Sequence, residues 1–79
     1  MEPTPAVEAL IRSPRADISP KEAAEALGYR SSYGFNVAAK QNRDIGFRYF
    51  WRGNHLRISK ADVLAFLGWH WDNEKGWVQ

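Results

Sequence analysis

The dipeptide Gly53-Asn54 is the tightest constraint in this chain. It lies between two stretches in which apolar and polar residues alternate, Phe47 to Arg52 and His55 to Ile58. Gly-Asn between alternating stretches reads as a two-residue β-hairpin loop. So short a loop leaves no freedom of register. Arg52 must face His55, Trp51 must face Leu56, Phe50 must face Arg57, and Tyr49 must face Ile58. This pairing sorts the side chains by itself. Phe47, Tyr49, Trp51, Leu56 and Ile58 fall on one face, which reads as core. Arg48, Phe50, Arg52, His55 and Arg57 fall on the other, so that three arginines and a histidine surround one aromatic ring.

Elsewhere the apolar period is helical and the helix ends are marked. Thr4-Pro5 starts a short helix through Val7, Leu10 and Ile11, which Ser13-Pro14 stops near Arg12. Ser19-Pro20-Lys21-Glu22 is a capping box, with Ile18 placed to staple onto Ala23. The helix it opens runs from Pro20 to Leu27 and ends at Gly28, with Ala23, Ala24 and Leu27 facing inward. Ser31 or Ser32 caps a third helix that reaches about Asn42. Phe35, Ala38, Ala39 and Asn42 lie on one side of it, and Tyr33, Asn36, Val37 and Lys40 on the other. Gly34 inside this helix costs about 1 kcal/mol relative to Ala and suggests close approach of something to the backbone. Ser59 caps a fourth helix with Val63, Leu64, Phe66 and Leu67 as its apolar face and Gly68 as its end. The tail from Trp69 to Gln79 reads as a second small hairpin carrying Trp69, Trp71 and Trp77. These rings pack back on the domain or present a surface to a partner.

A chain of 79 residues is one small domain with a limited core. It has no cysteine, so disulfides and thiolate metal sites are excluded, and two histidines do not make a dedicated metal site. Four Trp, three Tyr and four Phe supply the apolar mass that a disordered chain would lack. No apolar run approaches the roughly 20 residues of a membrane span. Met-Glu-Pro-Thr-Pro does not read as a signal peptide, so a cytoplasmic protein is expected.

The charge is unevenly spread. Residues 30–60 carry seven basic side chains against Asp44 alone, a net +6, while the segments before and after are each −2. Such asymmetry suits a polyanionic partner, the alternative being a solvated basic face.

The order helix, turn, helix, hairpin, helix is that of a helix-turn-helix with a wing, and the residues carry a resemblance to one family. Ile18-Ser-Pro-Lys-Glu-Ala-Ala-Glu-Ala-Leu-Gly28 resembles the first helix of MerR-like and excisionase-type DNA-binding domains. Phe47 to Ile58 resembles their wing, and Ser59 to Leu67 the helix after it. The long turn Ala39 to Gly46 is most similar to that of excisionases of phages and conjugative transposons. The resemblance covers residues 18–67 and implies a mainly α fold with a β-hairpin, a winged helix-turn-helix. Residues 1–17 then form an N-terminal helical extension and residues 68–79 an aromatic tail of the same single domain, 1–79. The third helix departs from the family in carrying only Lys40 as a cation, with Gly34 and Ala38-Ala39 inside it.

The resemblance implies a sequence-specific double-stranded DNA-binding protein, either a recombination directionality factor or a small transcriptional regulator. Its partners would be DNA, an integrase or recombinase, and further copies of itself. In the major groove Asn36 can pair with adenine, Val37 can meet a thymine methyl and Lys40 a phosphate or guanine, with Tyr33 beside them. Ser31 and Ser32 can donate to phosphate at the helix start. Arg30, Arg43, Arg48, Arg52, Asn54, His55 and Arg57 form the turn-and-wing set, on the backbone or in the minor groove. Phe50 reads as packing against arginine stems rather than as an intercalating wedge. Ser13-Pro14-Arg15 and Ser19-Pro20-Lys21 resemble minor-groove Ser-Pro-basic units, but both pairs already serve as helix boundaries. The competing reading is a winged-helix interaction module of a phage or mobile element, binding a host or recombinase protein through its Trp-rich tail. No catalytic constellation or phosphate loop is present, and no enzyme activity, metal, cofactor, small-molecule substrate or membrane association is expected.

Overall fold

Helix α1 (Pro5–Arg12) starts on Thr4, whose Oγ1 accepts the Val7 amide at 3.3 Å. In the computed structural model this helix opens an order completed by β1 (Asp17–Ile18), α2 (Pro20–Leu27), α3 (Tyr33–Lys40), β2 (Tyr49–Arg52), β3 (His55–Ser59), α4 (Lys60–Phe66), β4 (His70–Asp72) and β5 (Gly76–Val78). Residues 3–79 are described. Met1 and Glu2, part of the stretch read for a signal peptide, lie outside the described residues. The fold is mixed α/β, with four helices, a three-stranded antiparallel sheet and a two-stranded one among the described residues, rather than mainly α. No helix is long and apolar enough to cross a membrane.

The helix boundaries follow from local chemistry. Ser19 and Glu22 close the capping box, Oγ accepting the Glu22 amide at 3.1 Å and Oε1 accepting the Ser19 amide at 3.0 Å. Gly28 takes a left-handed φ of 80°, so the Tyr29 amide reaches back to the Ala24 carbonyl at 2.8 Å. The same double closure ends α4 at Gly68, where the Trp69 amide bonds the Leu64 carbonyl. It also ends α3, but there the left-handed residue is Asn42, with φ 56°, and the Arg43 amide bonds the Ala38 carbonyl. Asn42 is therefore an exposed helix stop and not part of the inward side. At the start of α3, Ser31 Oγ accepts the Tyr33 amide at 3.1 Å, while Ser32 makes no side-chain cap.

The hairpin register is the one dictated by Gly53-Asn54: Tyr49↔Ile58, Phe50↔Arg57, Trp51↔Leu56 and Arg52↔His55. Gly53 has φ 60° and Asn54 does not share that sign, which is the type II′ arrangement. A third strand joins on the other side. Asp17 pairs with Ser59 and Ile18 with Ile58, making β3 the centre of the order β1-β3-β2. Ile18 is thus a core strand residue, fully buried beside Ile58.

The core gathers Val7 and Leu10 of α1, Ile18, Ala23 and Ala26 of α2, Ala39, Phe47, Leu56, Ile58, Val63 and Leu64. Ala26, outside the predicted inward face, is buried and Leu27 is only half-buried, because α1 lies across α2. Two expected core rings are not core. Trp51 is 37% exposed because β2 is the edge strand, whereas α2 packs against the central strand β3. Phe66 is 68% exposed, lying well off the arc shared by Val63, Leu64 and Leu67, with its ring edge-on to Phe47 at 5.7 Å. The tail is the second hairpin, Trp71 opposite Trp77 with centroids 5.6 Å apart. Trp69 and Trp77 pack against the core, while Trp71 is exposed.

The contrast between the paired residues Leu56 and Trp51 is testable. Leu56→Ala removes a buried side chain and is expected to lose about 2–5 kcal/mol of unfolding free energy. Trp51→Ala uncovers much less new surface and is expected to lose about 1–2 kcal/mol. Urea unfolding of both variants checks the order; a larger loss at Trp51 would mean that the ring is enclosed.

Candidate nucleic-acid interface

Three chain segments converge beside the hairpin tip. Ser19-Pro20-Lys21 at the start of α2, Ser32 and Asn36 at the start of α3, and Asn54-His55 with Arg57 on the wing line one open cleft of about 230 Å³. The capping box holds the first segment in place, Ser31 Oγ closes the turn that opens the second, and the type II′ loop and the sheet register hold the third. Ser32, Asn36, Asn54, His55 and Arg57, read separately along the sequence, are therefore neighbours. Lys21 joins them. Its signal was the second Ser-Pro-basic unit, whose serine and proline are explained by the helix boundary but whose lysine is not.

Helix α3 presents the expected outer face. Tyr33 is 74% exposed and Lys40 is exposed, while Val37 is half-buried between them. Asn36 sits at the wing-side edge of this face. Its Nδ2 donates to the Ser32 carbonyl at 3.3 Å, leaving Oδ1 without a protein donor. Ala39 is buried and Phe35 packs on the core, which anchors the opposite side. Arg30 precedes the helix and Arg43 follows it, both exposed. Gly34 meets nothing within 4 Å where a Cβ would stand. The close approach expected there is not made by any part of the described chain. Gly34 instead lines a separate apolar cleft of about 260 Å³ with Tyr29, Phe35, Ala38 and Ile45.

The wing arginines Arg48, Arg52 and Arg57 all pair with carboxylates. Arg48 forks onto Asp62, Nε at 3.1 Å and Nη2 at 2.8 Å, and its backbone amide donates to the same carboxylate at 2.7 Å. Asp17, brought in by β1, collects three guanidiniums: Arg57 Nε at 2.8 Å, Arg52 Nη2 at 3.1 Å and Arg15 Nη2 at 3.8 Å. The Arg57 side chain is only 17% exposed and also donates to the Asp17 carbonyl, so it is a structural tie. Arg52 remains more open and lies over the Phe50 ring, 5.6 Å from its centroid, so Phe50 packs against an arginine as expected. Lys60, counted in the basic segment, is buried with Nζ donating to the Ser13 carbonyl at 2.7 Å. Among the described residues, Lys21, Arg30, Lys40, Arg43 and, in the tail turn, Lys75 have no carboxylate within ion-pair distance. Apart from Lys75, the uncompensated exposed charge borders α3 rather than the wing.

These pairs shift the titrations. The Arg57 hydrogen bond holds the Asp17 carboxyl below its ordinary value, against the cost of desolvation and with help from the Arg52, Arg57 and Arg15 charges. Hydrogen bonds from the Arg48 side chain and backbone lower Asp62 to about 2. Desolvation lowers Lys60. No group of three or more His, Cys, Asp or Glu among the described residues is placed to hold a metal ion. No family model, curated protein or solved structure matches the chain significantly.

Asp62 has a folded pKa below its unfolded value, so its contribution to stability is complete above the ordinary carboxylate range. That contribution is lost as pH falls from about 4 toward 2. Melting temperatures followed from pH 6 to pH 2 are expected to fall less steeply below pH 4 in Asp62→Asn than in the unaltered protein. Equal slopes would mean that the Arg48 fork does not persist in solution.

Proposed function

We propose that this protein binds double-stranded DNA as a winged helix-turn-helix, with the outer face of α3 in the major groove and the hairpin as the wing. The observation that carries the reading is the cleft where the starts of α2 and α3 meet the hairpin tip, with unpaired Lys21 in its lining and unpaired Arg30, Lys40 and Arg43 exposed at the two ends of α3. An α-helix fits the major groove, and a neighbouring tip then lies against the adjoining backbone. Tyr33, Asn36 and Val37 read base edges. Ser31, Ser32, Lys21, Arg30, Lys40 and Arg43 hold phosphates, and Asn54 and His55 meet the backbone or minor groove beside them. The order α1-β1-α2-α3-β2-β3, with β1 paired to β3, supports the winged arrangement. The resemblance of residues 18–67 to excisionase-type domains supports a role in directing recombination or in repression, with an integrase or further copies as partners on the DNA. A cytoplasmic, non-enzymatic protein fits that role.

A second reading has its own observation. The apolar cleft at Gly34, with Tyr29 and Phe66 exposed along the same series of ring contacts, favours an interaction module that docks on another protein.

Binding to random duplex DNA across a salt series separates the two. About four or five phosphate contacts give a log–log slope near −4. Lys21→Ala and Arg43→Ala are each expected to reduce that slope by about one unit. On a selected site Asn36→Ala is expected to lose about 1–3 kcal/mol with the slope unchanged. No binding at low salt would favour the interaction module. A loss for Asn36→Ala that is equal on random and selected DNA would remove α3 as the reader of sequence.

A further inference from the structure

The outer face of the three-stranded sheet carries an imbalance that internal pairing leaves unresolved. Asp17 stands opposite Ser59 on β3, and the hairpin register puts Arg57, Phe50 and Arg52 on that same face. One carboxylate there serves three guanidiniums. Oδ1 takes Arg57 and the more distant Arg15, and Oδ2 takes Arg52. The four groups together carry +2. Each guanidinium has five N–H donors, and the protein engages only a few of them. The Arg15 and Arg52 side chains are 58% and 56% exposed, so their remaining donors face solvent. Their positions are nevertheless constrained. Arg57 is nearly enclosed between Asp17 and the sheet, Arg52 rests on the Phe50 ring, and the turn before Arg15 is closed by its amide donating to Ser13 Oγ at 3.3 Å.

We infer that Arg15, Arg52 and Arg57, gathered on Asp17, form a seat for one phosphate group, filled by a backbone phosphodiester when DNA is bound. Guanidinium forks match the oxygens of a phosphate in both spacing and charge. A phosphate entering beside Asp17 meets a net positive charge in spite of the carboxylate, and it needs little side-chain ordering because the carboxylate has already drawn the arginines together. Arg15 thereby becomes a contact from the α1–β1 connection, outside both the α3 face and the hairpin tip. The occupancy by DNA rests on the reading given under Proposed function; the seat for phosphate does not.

Two measurements separate these claims. Inorganic phosphate titrated at low ionic strength is expected to shift the Nε–Hε NMR resonances of Arg15, Arg52 and Arg57 together. Arg12, paired with Glu8, and Arg48, forked on Asp62, should stay in place. Absence of that selective movement overturns the seat, whether or not the protein binds DNA. On random duplex DNA, Arg15→Ala is expected to reduce the salt slope by about one unit, and the charge-matched control Arg12→Ala to leave it unchanged. A slope unaffected by Arg15→Ala, or reduced equally by both variants, overturns occupancy by the DNA backbone. Phosphate shifts in a protein that binds no DNA would leave the seat standing and remove the DNA reading itself.

Discussion

Pairing of Asp17-Ile18 with Ile58-Ser59 is the contact on which the rest of the molecule depends. A two-stranded hairpin alone is marginal in water. The third strand makes β3 central, encloses Ile18 and Ile58, and ties the chain before α2 to the chain before α4. The Lys60 amide and Nζ extend the tie, donating to the carbonyls of Ala16 and Ser13. Each of these bonds spans more than forty residues. They hold α1, the sheet and α4 around one small core, in a chain with no disulfide to do so.

The same strand redistributes the charge. Residues 30–60 hold a net +6 as a string, but Asp17 and Asp62, from outside that segment, enter the folded sheet face and occupy its arginines. Lys60 is withdrawn into the interior. Apart from Lys75 in the tail turn, what stays open lies around α2 and α3. A helix that looks poor in cations along the sequence therefore stands among the chain's uncompensated ones, Lys21, Arg30 and Arg43 arriving from its flanks to join its own Lys40. This bears on the proposed roles more than the total charge does, since exposed pairs are screened and only the surplus attracts a polyanion at a distance.

The aromatic residues divide by a related geometric rule. Left-handed Gly28 and Gly68 turn the chain sharply, so that Tyr29 and Trp69 fold back beside the helices they follow. Tyr29, Phe35, Phe47 and Phe66 then touch in series, with centroid separations of 5.8, 6.4 and 5.7 Å. The series begins and ends in solvent and is buried only at Phe47. A domain of this size has too little interior to enclose eleven rings, so several must remain at the surface.

Local chemistry alone determined most of the elements. Thr4-Pro5, the Ser19–Glu22 box, Gly28, Ser59 and Gly68 satisfy or end helix hydrogen bonds within a few residues, and Gly53-Asn54 fixes the register of the strands it joins. Such signals do not depend on the rest of the chain, so α1, α2, α4 and both strands of the wing were legible. Of the proposed site, the α3 face was legible for the same reason, because Tyr33, Asn36, Val37 and Lys40 follow from helical spacing. The two-residue strand Asp17-Ile18 was not, since a pair of residues has no period and its partner lies forty positions away. Everything that follows from that strand escaped the sequence as well: the capture of Arg52 and Arg57, the recruitment of Arg15, and the exposure of Trp51 on an edge strand. Lys21 beside the wing tip was hidden likewise, because its neighbours there come from three separate segments. Alternation shows which face of a strand is apolar; only the packed sheet decides how much of that face is covered, because coverage belongs to the neighbours and not to the strand.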